Sequence, residues 1–348
     1  MPLSSQNTKQ TGVAPADEEE MNILVTGGAG YVGSHACRIL DKAGHDVWVY
    51  DTLELGHRQA ALKDKLIVGQ LGDRELVPQV LREKKIDAVM HFAAYALVGE
   101  SVRDPAKYYQ NNVVQTLNLL ESMRECDVKK FVFSSTAATY GVPKEMPITE
   151  ASDQKPINPY GFTKLVVEQA LRDYAHAYDF GYAALRYFNA SGASADGEIG
   201  EDHTPESHLI PIILQVALGQ RKEIFIYGND YPTPDGTCIR DYIHVDDLGA
   251  AHVKALERLV PGKGIEANLG TGTGTSVLEV IKACREVTGH EIPATIGERR
   301  PGDPPELVAN SDFAQKTLEW TPEYKTIRPI VESAWQWHEA NPKGYATS

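Results

Sequence analysis

The sequence predicts an α/β fold: a doubly wound parallel sheet followed by a smaller α/β domain. Three observations lead there. Short apolar runs alternate with helical stretches from Asn22 to Tyr187, the first run opens into a glycine-rich loop and a helix, and the alternation breaks after Asn189. Strands covered on both faces read as continuous apolar runs, and their alternation with helices builds parallel βαβ units.

The elements follow in order. Asn22–Thr26 is the first strand, Ser34–Lys42 a helix, and Asp46–Asp51 the second strand. Lys65–Val68, a helix near 74–84, and Ala88–Phe92 continue the pattern, then a long helix from Pro105 to Arg124 and a strand at Lys130–Ser134. A helix starting at Pro159 precedes a strand at Tyr182–Tyr187. Beyond Asn189 the loops are dense in Gly, Pro and Asp, notably Gly228–Gly236, so a second domain is expected over 190–348, after a first over 21–189, with some interleaving of strands. Residues 1–20, polar and ending in an acidic run, are read as a disordered extension.

The net charge of −14 argues against a nucleic-acid footprint, which would be basic. The apolar runs fall short of the ~18 residues that span a bilayer, and the N-terminus has no signal pattern, so a cytoplasmic protein is expected. The four cysteines are scattered and the eleven histidines form no HExxH pattern. Neither a disulfide framework nor a metal centre is expected from such spacing.

Two motifs carry chemistry. Gly27, Gly30 and Gly33 form a GxxGxxG loop between strand and helix. A pyrophosphate needs close backbone approach and the free N–H groups of a helix start, which is the demand of a Rossmann nucleotide site. Asp51 ends the second strand, where a carboxylate accepts from ribose hydroxyls and repels a 2′-phosphate, predicting NAD over NADP. The second motif is Tyr160-x-x-x-Lys164. Asn158 suits an N-cap and Pro159 the first helical position, so tyrosine and lysine share one helix face. An ammonium beside a phenol favours the phenolate and makes a proton-transfer tyrosine.

These motifs, with Phe92-Ala93-Ala94, Ser134-Ser135-Thr136, Val98–Val102, Arg186–Asn189, Gly228–Thr233 and Arg240–Val245, resemble the UDP-glucose (UDP-galactose) 4-epimerase family of extended short-chain dehydrogenases/reductases across residues 21–345. The resemblance implies reversible inversion at C4 of a UDP-hexose through a 4-keto sugar, with NAD retained. It implies catalytic roles for Tyr160, Lys164 and Thr136, the last a hydrogen-bond partner of the reacting oxygen. NAD contacts are implied at Gly27, Gly30, Tyr31, Val32, Gly33, Asp51, Thr52, Gln70, Leu71, Phe92, Ala93, Ala94, Asn111, Tyr160, Lys164 and Tyr187. UDP-sugar contacts are implied at Thr136, Tyr160, Asn189, His208, Leu209, Tyr227, Arg240, Val277, Arg300, Asp303 and Leu307. Arg240 and Arg300 suit a diphosphate, although either can instead form an ion pair, for instance with Asp241 or Asp303. Gln70 stands where the family has an acid facing adenine, and its amide carbonyl can accept the same hydrogen bond. Leu307 stands where the family limits room at the sugar's C2 substituent, which leaves N-acetylated sugars open.

Dehydratases and decarboxylases of the same fold need a further acid or base. Here Ala137-Ala138 follows Thr136 and can move no proton. A 4-epimerase of UDP-pentoses remains a rival, as does an NAD-sensing protein without activity, which would be expected to lack Tyr160 or Lys164. A homodimer is expected through two helices bearing Val113, Leu117 and Leu120, and Val167, Leu171, Tyr174 and Tyr178, unless these stripes face the chain's own sheet.

Overall fold

A computed structural model describes residues 20–300 and 302–345. The expected N-terminal extension lies outside the described residues as far as residue 19. The first half runs β1 (Asn22–Thr26), α1 (Tyr31–Lys42), β2 (Asp46–Asp51), β3 (Leu66–Val68), α2 (Leu76–Glu83), β4 (Ala88–His91), α3 (Val98–Arg103), α4 (Pro105–Tyr108), α5 (Gln115–Glu125), β5 (Lys130–Thr136), α6 (Pro159–Tyr178) and β6 (Gly181–Tyr187). The second runs β7 (Asn189–Ser191), α7 (Leu209–Ala217), β8 (Ile224–Tyr227), β9 (Ile239–His244), α8 (Val245–Glu257), β10 (Gly264–Leu269), β11 (Gly274–Ser276), α9 (Val277–Thr288), β12 (Ala294–Gly297), β13 (Glu306–Leu307), α10 (Asp312–Leu318) and α11 (Ile327–Ala340).

Seven strands form one sheet in the order β10-β6-β5-β4-β1-β2-β3, all pairs parallel. The order reverses between β1 and β4, the switch point at whose carboxyl ends a ligand crevice opens. The apolar runs are buried because the sheet is covered twice. α1, α8 and α10 close one face around Ile23, Val25, Leu40 and Leu248, and α2, α5 and α6 close the other around Leu24, Leu119, Phe131 and Leu171. Part of the chain beyond residue 190 therefore returns to the large sheet, as β10 and α8. The remainder packs α7, α9 and α11 around Ile213, Ile281 and Val331 beside β9, which pairs with β7, β11 and β13.

Two expectations are corrected. α1 begins at Tyr31, not Ser34, so helical N–H groups start directly on the glycine loop. The helix expected over Pro105–Arg124 is interrupted: α4 and α5 are joined by a π-helical segment, Tyr109–Val114. Such segments insert one residue per turn and re-aim side chains, and periodicity does not reveal them. Leu120, Val167 and Leu171 face this chain's own sheet, with Leu117 and Tyr174 packed against the same core. On these helices the exposed apolar side chains are Tyr178, one of the expected stripe, with Tyr109, Val114 and Phe162.

Candidate active site

At the carboxyl edge of the sheet, register aligns Thr26 with His91, His91 with Phe133, and Thr136 with Tyr187. The glycine loop, Phe92-Ala93-Ala94, Thr136 and Tyr187 thus gather along one line.

Gly27 leaves β1 at φ +74°, and a Cβ there would stand 2.5 Å from the Ala93 nitrogen. A Cβ on Gly33 would stand 2.2 Å from the Gly27 carbonyl oxygen. Only glycine lets these backbones close. Gly30 is the N-cap of α1 and supplies no side-chain acceptor, which leaves the helix start to an anionic ligand. Asp51 accepts from Ala29 N at 3.0 Å and from Leu53 N at 2.8 Å. It therefore ties down the loop while keeping lone pairs for ribose hydroxyls. This cradle, with its missing Cβ atoms and uncapped helix start, fits NAD. Around it, Val32 packs on the core, Phe92 lies against His252, and Gln70 and Thr52 are exposed. Leu71 turns its side chain into the core, so only its backbone is offered to a ligand. Asn111 lies in the π segment and donates to Asn112 Oδ1 at 3.0 Å. Tyr31 instead donates to the Gly192 carbonyl at 2.7 Å, tying the helix start to the second half.

Asn158 caps α6 as expected, accepting from Gly161 N at 2.8 Å, with Pro159 at the first position. Tyr160 and Lys164 then face β5. The Lys164 ammonium donates to the Ser134 carbonyl at 2.8 Å and lies 6.0 Å from the Tyr160 ring centre. Burial pushes Lys164 down to about 7 against the opposing pull of Glu168. Burial also pushes the Tyr160 phenol up, and the Thr136 hydroxyl pulls it partly back. Thr136 thus joins Lys164 as a group that bears on the phenol. Burial disfavours both charged forms. Tyr187 closes the group, its hydroxyl 2.6 Å from Ser134 Oγ.

In the second half, Arg240 pairs with Asp303 at 2.5 Å, one of the two alternatives considered for it. β13 lies beside β9 with Leu307 opposite Arg240. The Arg300 guanidinium stacks 4.1 Å over the Tyr227 ring. Asn189 opens β7, His208 and Leu209 start α7, and Val277 starts α9. Asp241 pairs with no arginine among the described residues and accepts from Thr271, Gly272 and Ala309 backbone N–H groups.

Sequence reasoning missed a buried network under the site. Glu168, one turn beyond Lys164, accepts from Arg186 at 2.9 and 2.6 Å, from Gln154 at 2.9 Å and from Ser135 at 2.5 Å. Arg186 also reaches Glu266 at 2.6 Å and Tyr140 at 3.0 Å. The network locks α6 to β5, β6 and β10, fixing the height of Tyr160. The i, i+4 spacing of Lys164 and Glu168 was its only local signal. A second cluster, Glu201, His203, Glu206 and His208, was hidden because its spacing matches no familiar metal pattern.

The NAD dependent epimerase/dehydratase family model matches residues 23–270. A UDP-glucose 4-epimerase from Halalkalibacterium halodurans is 54% identical over 94% of this chain and 98% of its own. A solved UDP-glucose 4-epimerase from Brucella ovis in complex with NAD is 47% identical, with a TM-score of 0.88 over 90% of this chain and 97% of that one. Another, from Bifidobacterium longum in complex with NAD+ and UDP, is 42% identical, with a TM-score of 0.88 over 93% of this chain and 100% of that one. The glycine cradle and the Tyr160–Lys164 face thus stand in a chain that belongs to the NAD dependent epimerase/dehydratase family, among relatives that are UDP-glucose 4-epimerases.

Proposed function

We propose that this protein interconverts UDP-glucose and UDP-galactose by inverting C4 through a 4-keto sugar, with NAD held in the glycine cradle. The observation that carries this is the meeting of Tyr160, Thr136 and Lys164 at the carboxyl edge of the sheet, opposite that cradle. NAD, when bound, supplies the hydride acceptor and donor. Tyr160 takes the proton of the 4-hydroxyl and returns it after the sugar turns over; Thr136 holds the reacting oxygen and Lys164 favours the phenolate. Ala137-Ala138 continues as a 3₁₀ turn with no group to drive dehydration. Asn189, His208, Leu209, Tyr227, Val277 and the guanidiniums of Arg240 and Arg300 are proposed to hold the UDP-sugar; Arg240 would exchange Asp303 for phosphate. The relatives solved with NAD and with UDP support the pairing of ligands.

The test is Tyr160→Phe, which removes one oxygen. Turnover should fall by about 10²–10⁴-fold with UDP-sugar affinity retained; unchanged turnover removes Tyr160 from the mechanism. Purified protein should also carry NAD that UDP-sugar partly reduces, read by absorbance, which an NAD-sensing protein would not do. Rates on UDP-galactose, UDP-N-acetylgalactosamine and UDP-xylose separate the hexose reading from its rivals.

Two further readings belong here. Tyr109, Val114, Phe162 and Tyr178 support a homodimer through the outer faces of the π segment and α6, and a monomer mass by light scattering would reject it. The four cysteines stand free and no helix among the described residues is long and apolar enough to cross a membrane, which supports a cytoplasmic location.

A further inference from the structure

Between β7 and α7, Glu201, His203, Glu206 and His208 each bring one ligand atom within 4.8 Å of the others. His203 Nδ1 lies 3.2 Å from Glu201 Oε1 and 3.9 Å from Glu206 Oε2, and His208 Nδ1 lies 3.6 Å from Glu206 Oε1. His208 Nδ1 also touches Glu201 Oε1. A tetrahedral ion with bonds of about 2.0–2.1 Å has ligand–ligand edges of roughly 3.3–3.4 Å. Three of the four separations bracket that edge.

Two features distinguish the cluster from an ordinary salt bridge. The Glu201 and Glu206 side chains are only 3% and 4% exposed, a costly place for two carboxylates. His203 Nδ1 is enclosed among them and, although 3.2 Å from Glu201 Oε1, makes no hydrogen bond of good geometry. Glu206 is held in place by Ser207 N at 2.7 Å and His208 N at 2.8 Å. The half-exposed His208 imidazole leaves a path inward from solvent.

We propose that Glu201, His203, Glu206 and His208 form a binding site for one divalent transition-metal ion of the zinc, cobalt or nickel kind. Two imidazoles with two carboxylates suit these borderline cations; magnesium and calcium would take oxygen ligands alone. The ion would replace protons on the imidazoles, so binding strengthens as pH rises. It would staple the 201–208 loop to the start of α7. Because Nδ1 of His208 enters the cluster, its Nε2 is left facing outward; that this nitrogen meets the UDP-sugar rests on the proposed function, whereas metal binding does not.

The experiment uses full-length, tag-free protein stripped with a chelator and titrated with cobalt(II) in the absence of any UDP-sugar. One equivalent should bind per chain, give the intense visible bands of tetrahedral cobalt, and be displaced by zinc but not by magnesium. His203→Ala and Glu206→Gln, each checked for folding by circular dichroism, should weaken binding at least about tenfold, since even an outer-shell partner is worth that much. Absence of saturable one-per-chain binding by the wild type would leave imidazolium–carboxylate pairs only and overturn the proposal. Undiminished binding by either folded variant would do the same. Failure of epimerase activity would leave this result untouched.

Discussion

Gly33→Ala is the sharpest test of the cradle. The new Cβ would sit 2.2 Å from the Gly27 carbonyl oxygen and 3.0 Å from Gly28 Cα, both backbone atoms that cannot swing aside. Relief to ordinary contact, 3.4 Å or more, requires the start of α1 to move from the loop by over an ångström. Overpacking of this kind costs about 1–3 kcal/mol of stability. The larger effect falls on NAD. A shift of this size spoils the hydrogen bonds from the helix start to the pyrophosphate, each charge-assisted and worth about 1.5–3 kcal/mol. Losing one weakens NAD binding about tenfold or more. The assay is the NAD content of purified protein together with calorimetric titration of the stripped form. Gly99→Ala is the control, because its Cβ meets nothing within 4 Å. NAD content and affinity within twofold of wild type in Gly33→Ala would refute the close-approach argument.

Other outcomes follow from the same geometry. Glu168→Leu strands Arg186, only 1% exposed, and should cost about 3 kcal/mol in urea unfolding; a loss under about 1 kcal/mol would show that Glu266 and Tyr140 suffice. Lys164 is protonated up to a lysine's ordinary 10.5 when unfolded but only up to about 7 when folded. Between these values the unfolded state binds the extra proton, so stability rises with pH and the deficit is full below pH 7. The stability of stripped wild type relative to Lys164→Met should therefore climb from pH 7 toward pH 10, by up to about 1.4 kcal/mol per unit; a flat or falling difference would contradict the burial argument. Leu307→Ala, opening space opposite Arg240, should raise kcat/KM for UDP-N-acetylgalactosamine relative to UDP-galactose; an unchanged ratio would remove Leu307 from specificity.

Much of the site was legible because its demands are local. The glycine at Gly33 is forced by the Gly27 and Gly28 backbone a few residues away, whereas Gly27 answers to Phe92 and Ala93 on a distant segment; Tyr160 and Lys164 share a face through helix periodicity alone. Asn158 and Pro159 start α6 for reasons within one turn. The π segment at Tyr109–Val114 was invisible, since its sequence continues a helical pattern. The helix stripes divided for a related reason, Leu120, Val167 and Leu171 facing the core and Tyr178 the surface: periodicity shows that a helix has an apolar face, not which neighbour covers it.

The sequence by itself determined the βαβ rhythm, the Gly27–Gly33 loop motif and the Tyr160–Lys164 face, because each is a pattern of residue types along a short stretch of chain; the packing of Gly27 against Ala93 and the tie from Asp51 to Ala29 came with the tertiary fold. Tertiary structure alone decided the return of β10 to the large sheet, the pairing of Arg240 with Asp303, and the Glu168–Arg186 network. It also set the burial of Tyr160 and Lys164. The spacing put an ammonium near the phenol, but burial governs both groups, and desolvation is set by everything packed around a residue rather than by its neighbours in sequence.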